Sequence, residues 1–348
     1  VSVSPVDGAQ LARSVSAIYA QAELRLLGVI ATHLRSGKDA PDWLARRLGD
    51  VRTVRRELEA VMRAVERRTP GEVERAIAGA SRLGAKAAAR ELAAAGLEHV
   101  AHPGLASVTV LARATTERLF ATHLRILRTT HDVYRAAVSA EAAVLMAGSG
   151  ATRLSAAQHV LDRFASAGIR GFVDSAGRSW ELASYAEMAM RTTTGQAAVE
   201  SALSTYSDNG EDLVIVSDSP EECELCAPWE GVVLSINGRT PGYPTVDEAT
   251  AAGLFHANCT HDLGLHVEGL TRTESAHENP EGYEERQEQR RLERGVREWK
   301  RREAVALTEA AQQKAAAKVG EWQGRLREFT EETGRRRLYY REQIGKAH

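Results

Sequence analysis

Apolar positions recur every three or four residues from residue 6 to residue 36. Leu11, Val15, Ile18, Tyr19, Ala22, Leu26, Val29 and Ile30 fall on one face of a long predicted helix, and Ser36-Gly37-Lys38 supplies its stop. Pro41 suits the first turn of a second helix carrying Trp43, Leu44, Leu48 and Val51. The pattern continues to Val65, and Thr69-Pro70-Gly71 predicts a break. Helices are predicted again over 71–96 and about 104–146, the latter long enough for a rod or coiled-coil arm. Gly148-Ser149-Gly150 is the first predicted boundary, and a helix follows over about 152–167.

The period then shortens. Arg170–Asp174 and Arg178–Leu182, joined through Ser175-Ala176-Gly177, predict a β-hairpin. Two helices are predicted over about 183–192 and 195–207. Asp212–Ser217 is a short β-branched strand, and Gly231–Leu234 is a second strand candidate. Beyond 271, acids and bases alternate with sparse apolar residues over 284–307 and 309–329, as on exposed helices that lie on a partner or on the N-terminal bundle. The expected fold is mainly α with a small α+β module: a long N-terminal helical bundle or arm over 1–150, an α+β domain over 151–270, and a charged helical C-terminal arm over 271–348.

Charge supports this division. Residues 1–150 hold 21 Lys/Arg against 15 Asp/Glu, residues 151–270 hold 6 against 17, and residues 271–348 hold 18 against 15. Net charge is −2 in all, and because acids interleave with the bases the basic ends read as solvated helix faces. Aromatics are 5% of the 348 residues while Ala and Arg abound, which favours helices packed through small residues over a β-sandwich. No apolar run approaches the roughly 18–20 residues of a membrane span, and Val1–Ala9 lacks a signal-peptide layout. The expectation is a cytosolic product with no membrane partner.

All three cysteines lie within one 37-residue window. Cys223-Glu224-Leu225-Cys226 is a C-x-x-C turn, and His256-Ala257-Asn258-Cys259-Thr260-His261 places a third sulfur between two histidines. Tetrahedral zinc takes four N or S ligands, often two from one such turn. Cys223, Cys226 and Cys259 supply three, and His256 or His261 the fourth. The reading leans to His256, because His256-x-x-Cys259 repeats the spacing of the first pair. Such a closed set is structural zinc. A thiol cluster without metal and a redox C-x-x-C are the alternatives, the latter lacking a thioredoxin-like βαβ surround. A disulfide is disfavoured in the cytoplasm and would leave one cysteine over.

Four blocks resemble the phage minor capsid protein 2 family, relatives of the phage Mu head-morphogenesis proteins. They are Gly177–Leu182 with Tyr185-Ala186-Glu187-Met188 and Arg191-Thr192; Cys223–Gly231; Ala252–His261; and Tyr283–Gln287 through Arg290, Glu293, Arg297 and Lys300-Arg301. The clear resemblance covers about 170–305. Where the family carries His-Pro-Asn-Cys-Arg-His, this chain has Ala257 and Thr260, changes that remove no ligand. The resemblance implies a virion component near the portal vertex, acting in head morphogenesis and DNA packaging, and no catalytic residues. The partners it implies are the portal protein, the major capsid protein and packaged double-stranded DNA, with no small-molecule substrate.

Two rival functions stand beside this one. A zinc nuclease or other hydrolase would draw on His256, His261, Asp262 and His266, but thiolate ligands argue for structure, and no P-loop, H-E-x-x-H or Ser-His-Asp pattern is present. A DNA-binding adaptor would use Arg335, Arg336, Arg337 and Arg341 with Tyr339 and Tyr340; a protein-binding arm suits that tail equally. Glu187 and Arg191, spaced i,i+4, read as a structural surface ion pair.

Overall fold

The computed structural model of the chain describes residues 5–36, 42–97, 99, 105–147, 152–167, 170–173, 179–219, 221, 224–256, 259, 261–271 and 280–345. Among these it is mainly helical: α1 (Pro5–Arg35), α2 (Trp43–Ala94), α3 (Leu105–Phe120), α4 (His123–Ala147), α5 (Arg153–Ala167), α6 (Leu182–Asp208), α7 (Val246–Ala251), α8 (Pro280–Ala304) and α9 (Glu309–Glu332). Five short strands complete it: β1 (Arg170–Val173), β2 (Ser179–Glu181), β3 (Leu213–Val216), β4 (Val233–Ser235) and β5 (Leu263–Leu265). Strands β1 and β2 form the expected antiparallel hairpin, with Phe172 opposite Trp180. No helix among the described residues is long and apolar enough to cross a membrane.

Three helix boundaries differ from expectation. Helix α2 runs through Thr69-Pro70-Gly71 without interruption. Pro70 removes one helical N–H, but Leu58, Met62, Val65, Thr69, Val73, Ala76, Ile77 and Ala80 keep their three- and four-residue spacing and are all buried. The Thr69 hydroxyl donates to the Val65 carbonyl at 2.8 Å. Conversely, the expected rod over 104–146 divides at residues 121–122, where the Thr122 hydroxyl and backbone N–H both bond the Leu119 carbonyl, at 2.7 and 3.2 Å. Helix α6 joins the two helices expected around Gly195.

The chain gathers into two compact units. One comprises Val1–Val15, Pro70–Glu117 and Glu187–Gln287; the other comprises Ser16–Thr69, Arg118–Ala186 and Glu288–His348. In the second unit, two buried arginines tie elements together. The Arg47 guanidinium donates to the carbonyls of Leu34 at 2.5 Å and Ser36 at 2.7 Å, and to that of His33, closing the open end of α1. Arg301 pairs with Glu181 at 3.0 Å and donates to the Ala165 carbonyl. Leu292 and Val296 of α8 pack with Leu326, Trp322 and Phe329 of α9. The charged C-terminal helices thus bury a narrow apolar seam.

The first unit holds the three-stranded antiparallel sheet, ordered β4-β3-β5. Val214 faces Leu234 and Leu265, and Val216 faces Leu263. This side is buried against Ala88 and Leu92 of α2, Ala202 and Tyr206 of α6, and Val246 and Ala249 of α7. The Glu91 carboxylate pins strand to helices by accepting from the Tyr206 hydroxyl at 2.7 Å and the Leu265 backbone N–H at 2.8 Å. Strand β5 was not anticipated from the sequence.

Candidate metal centre

Two loops meet at one end of this sheet because β3 leaves it where the antiparallel β5 enters. The Ser217 N–H donates to the Asp262 carbonyl at 3.0 Å, and the Asp262 N–H donates to the Ser217 hydroxyl at 3.0 Å. The β3–β4 loop carries Cys226 into a 3-10 turn, Ala227–Trp229, in which the Trp229 N–H bonds the Cys226 carbonyl at 2.8 Å. Gly231 then takes φ 71°, a left-handed value that glycine adopts without strain, and its N–H returns to the Val216 carbonyl. Opposite, Thr245 and Glu248 form a reciprocal cap on α7. After α7, Gly253 at φ 117° and Phe255 at φ 61° swing the chain toward the sheet end. The Cys259 N–H then closes a turn on the His256 carbonyl at 2.9 Å.

The result is a cluster in which ligand atoms of Cys226, His256 and Cys259 all lie within 4.8 Å of one another. The two sulfurs are 3.6 Å apart. Tetrahedral zinc with Zn–S bonds of about 2.3 Å separates its sulfurs by roughly 3.8 Å, so the donor pair fits a shared metal and is too wide for a disulfide. Cys226 is fully buried in the apolar core beneath the sheet, with Trp229, Phe255 and Cys259 packed beside it. Such a core leaves a polar ligand few partners but a metal and neighbouring donors.

The third expected sulfur, that of Cys223, lies outside the described residues. His261 borders the three-residue group without belonging to it: its ring Nδ1 is 3.5 Å from the Cys259 sulfur and its Nε2 is 2.5 Å from Glu230 Oε1. The Cys226 sulfur, joined by the His261 contacts and against the effect of burial, holds the Cys259 thiol down at about 4. Burial opposes charge on His261, yet Cys259 and Glu230 outweigh it and raise its pKa. Burial raises Glu230 against the pull of His261.

The other residues singled out in the sequence fall elsewhere. His266 lies past the opposite end of β5 from His261, its backbone N–H on the Leu213 carbonyl, and Asp262 closes the loop to Ser217. Glu187 and Arg191 are half-buried one turn apart on α6. In the C-terminal tail, Arg337 makes a two-pronged pair with the buried Glu342 at 2.6 and 2.7 Å. Arg335 donates to Gln289 and Arg341 to the Tyr340 hydroxyl, while Arg336 is exposed. Glu230 stands in the sequence as one residue of the Cys223–Gly231 block, and nothing in its spacing signals a partner 31 residues away.

A mainly helical protein with a small three-stranded sheet and a Cys2His cluster at that sheet's end finds its relatives among structural proteins of phage. It is 31% identical over 146 residues, 38% of its length, to a structural protein of Lactococcus phage LL-H. It is 32% identical over 115 residues, 30% of its length, to a structural protein of Lactococcus phage mv4. The matched segments span 39% of the first relative and 94% of the second. Over residues 3–331 the chain matches the phage minor capsid protein 2 family, and it belongs to that family. No solved structure matches it.

Proposed function

We propose that this phage structural protein acts in head assembly and genome packaging at the portal vertex, touching the portal protein and the major capsid protein. We further propose that structural zinc staples its small sheet. The observation supporting the assembly role is the family match across residues 3–331. Cys226, His256 and Cys259 would hold the metal, with Cys223 of the C-x-x-C turn as fourth ligand. Zinc would tie the β3–β4 loop to the α7–β5 loop and supply folding free energy that the short strands lack. Thiolate ligands fill such a site and leave no position for a reacting water, so the role is structural and not catalytic. Contact with packaged DNA ranks behind contact with protein, because Arg335, Arg337 and Arg341 already hold partners within the chain.

Mass spectrometry of purified virions beside empty procapsids, with cross-linking, tests the assembly role. The expected result is the chain in both particles, at low copy number, cross-linked to portal subunits. Cross-links confined to tail proteins would refute it. Elemental analysis of the purified full chain should give about one equivalent of zinc, lost in Cys226→Ser and Cys259→Ser; below a tenth of an equivalent the metal reading fails.

A further inference from the structure

The histidines on either side of Cys259 have different surroundings. His256 shares the three-residue cluster with both sulfurs. His261 brings two nitrogens to the Cys259 sulfur: its backbone N–H, which donates at 3.4 Å, and its ring Nδ1 at 3.5 Å. The other ring nitrogen is fixed on Glu230 Oε1 at 2.5 Å, and that oxygen also accepts the Ser219 backbone N–H at 3.2 Å. The side chains of His261 and Glu230 are each 1% exposed, so water does not compete for these bonds. Glu230 ends the 3-10 turn that follows Cys226. The loop that delivers one sulfur therefore also delivers the anchor for the group facing the other.

A metal-bound thiolate carries no proton and only accepts hydrogen bonds. A ring nitrogen held against it, and outside the set of converging ligand atoms, serves as a donor. We propose that His261 is a positioning residue and not a ligand: anchored by Glu230, it donates to the Cys259 thiolate, and His256 supplies the nitrogen to the metal. This rests on the metal reading above. Donors on a ligating sulfur draw off its electron density and fix its direction, and outer partners of this kind commonly change metal affinity about 10–100-fold.

The test loads the full-length protein with Co(II), whose visible bands report the number of sulfur and nitrogen ligands. Release of the metal to a chelator is then timed. His261→Asn keeps an amide N–H near the Nδ1 position; His261→Gln moves it toward Nε2 and leaves the sulfur with the backbone donor but no side-chain donor. His261→Gln and Glu230→Gln should bind one equivalent with wild-type bands but release it about 10–100-fold faster. His261→Asn should restore slow release, and His256→Gln should change the bands. If His261→Gln changes the bands while His256→Gln leaves them intact, His261 is the ligand and the proposal is wrong. Wild-type release rates in both His261→Gln and Glu230→Gln would also overturn it. Wild-type protein that takes up no cobalt removes the metal reading itself, and the proposal with it.

Discussion

Asp212, just before β3, is a carboxylate whose charge the fold uses. It accepts from the Ser235 hydroxyl at 2.6 Å, the backbone N–H groups of Asn237 and Thr240 at 3.0 Å each, and the Thr240 hydroxyl at 2.8 Å. Burial disfavours its charge, but these four bonds prevail and hold its pKa down to about 2, against 3.8 for a free aspartate. The folded state binds this proton more weakly than the unfolded chain does. The contribution to stability is therefore complete above about pH 4 and is lost as pH falls through about 2. Allowing for the solvent that reaches the loop beside Arg239, it is on the order of 1 kcal/mol. Asp212→Asn should lower stability by about that amount at neutral pH and flatten the loss between pH 4 and pH 2. Urea unfolding at a series of pH values reads both, and an acid limb unchanged in the variant would show that Asp212 is not its source.

At the level of elements, Pro70 in α2 sets local chemistry against packing. A proline inside a helix costs about 3 kcal/mol through its missing N–H and its clash with the preceding turn, yet buried positions continue on both sides of it. Pro70→Ala should restore the N–H and raise stability by roughly 1–3 kcal/mol, seen as a higher midpoint in thermal unfolding followed by far-ultraviolet circular dichroism. A lowered midpoint would mean that a bend at Pro70 is required. The same conflict explains what the sequence made legible. Long amphipathic helices, the β1–β2 hairpin and the strand at 213–216 announce themselves through local period. Proline and glycine at 70–71 are local signals of a stop, whereas the burial of Val65, Thr69 and Val73 that overrides them is tertiary. The break between α3 and α4 carries no Gly or Pro and rests on Thr122 bonding back to Leu119. Leu263-Gly264-Leu265 is too short to display a strand period. The paired spacing of Cys226 and of His256 with Cys259 pointed to one cluster, because tight turns bind metals at fixed offsets. Glu230 stayed hidden, since its partner is near only after the sheet forms.

For the molecule as a whole, discontinuity of the chain matters more than its order. The unit containing the sheet draws on three separated stretches, and both ligand loops belong to it. Its strands are three or four residues long, and a sheet that short depends on what packs against it or ties its ends. The apolar seam of α8 and α9 lies in the other unit and includes none of the ligands. If metal binding supplies folding free energy to the sheet, its removal acts unequally. Chelation of metal-replete protein should accelerate amide hydrogen exchange at 213–216, 233–235 and 263–265 by tenfold or more, since each 1.4 kcal/mol of lost local stability is about a factor of ten. Amides of 292–302 and 315–330 should exchange at their former rates. Exchange mass spectrometry with and without chelator resolves the two sets of peptides. Equal acceleration in both would mean that metal supports the chain globally, and no change in either would mean that the sheet stands on its apolar core alone.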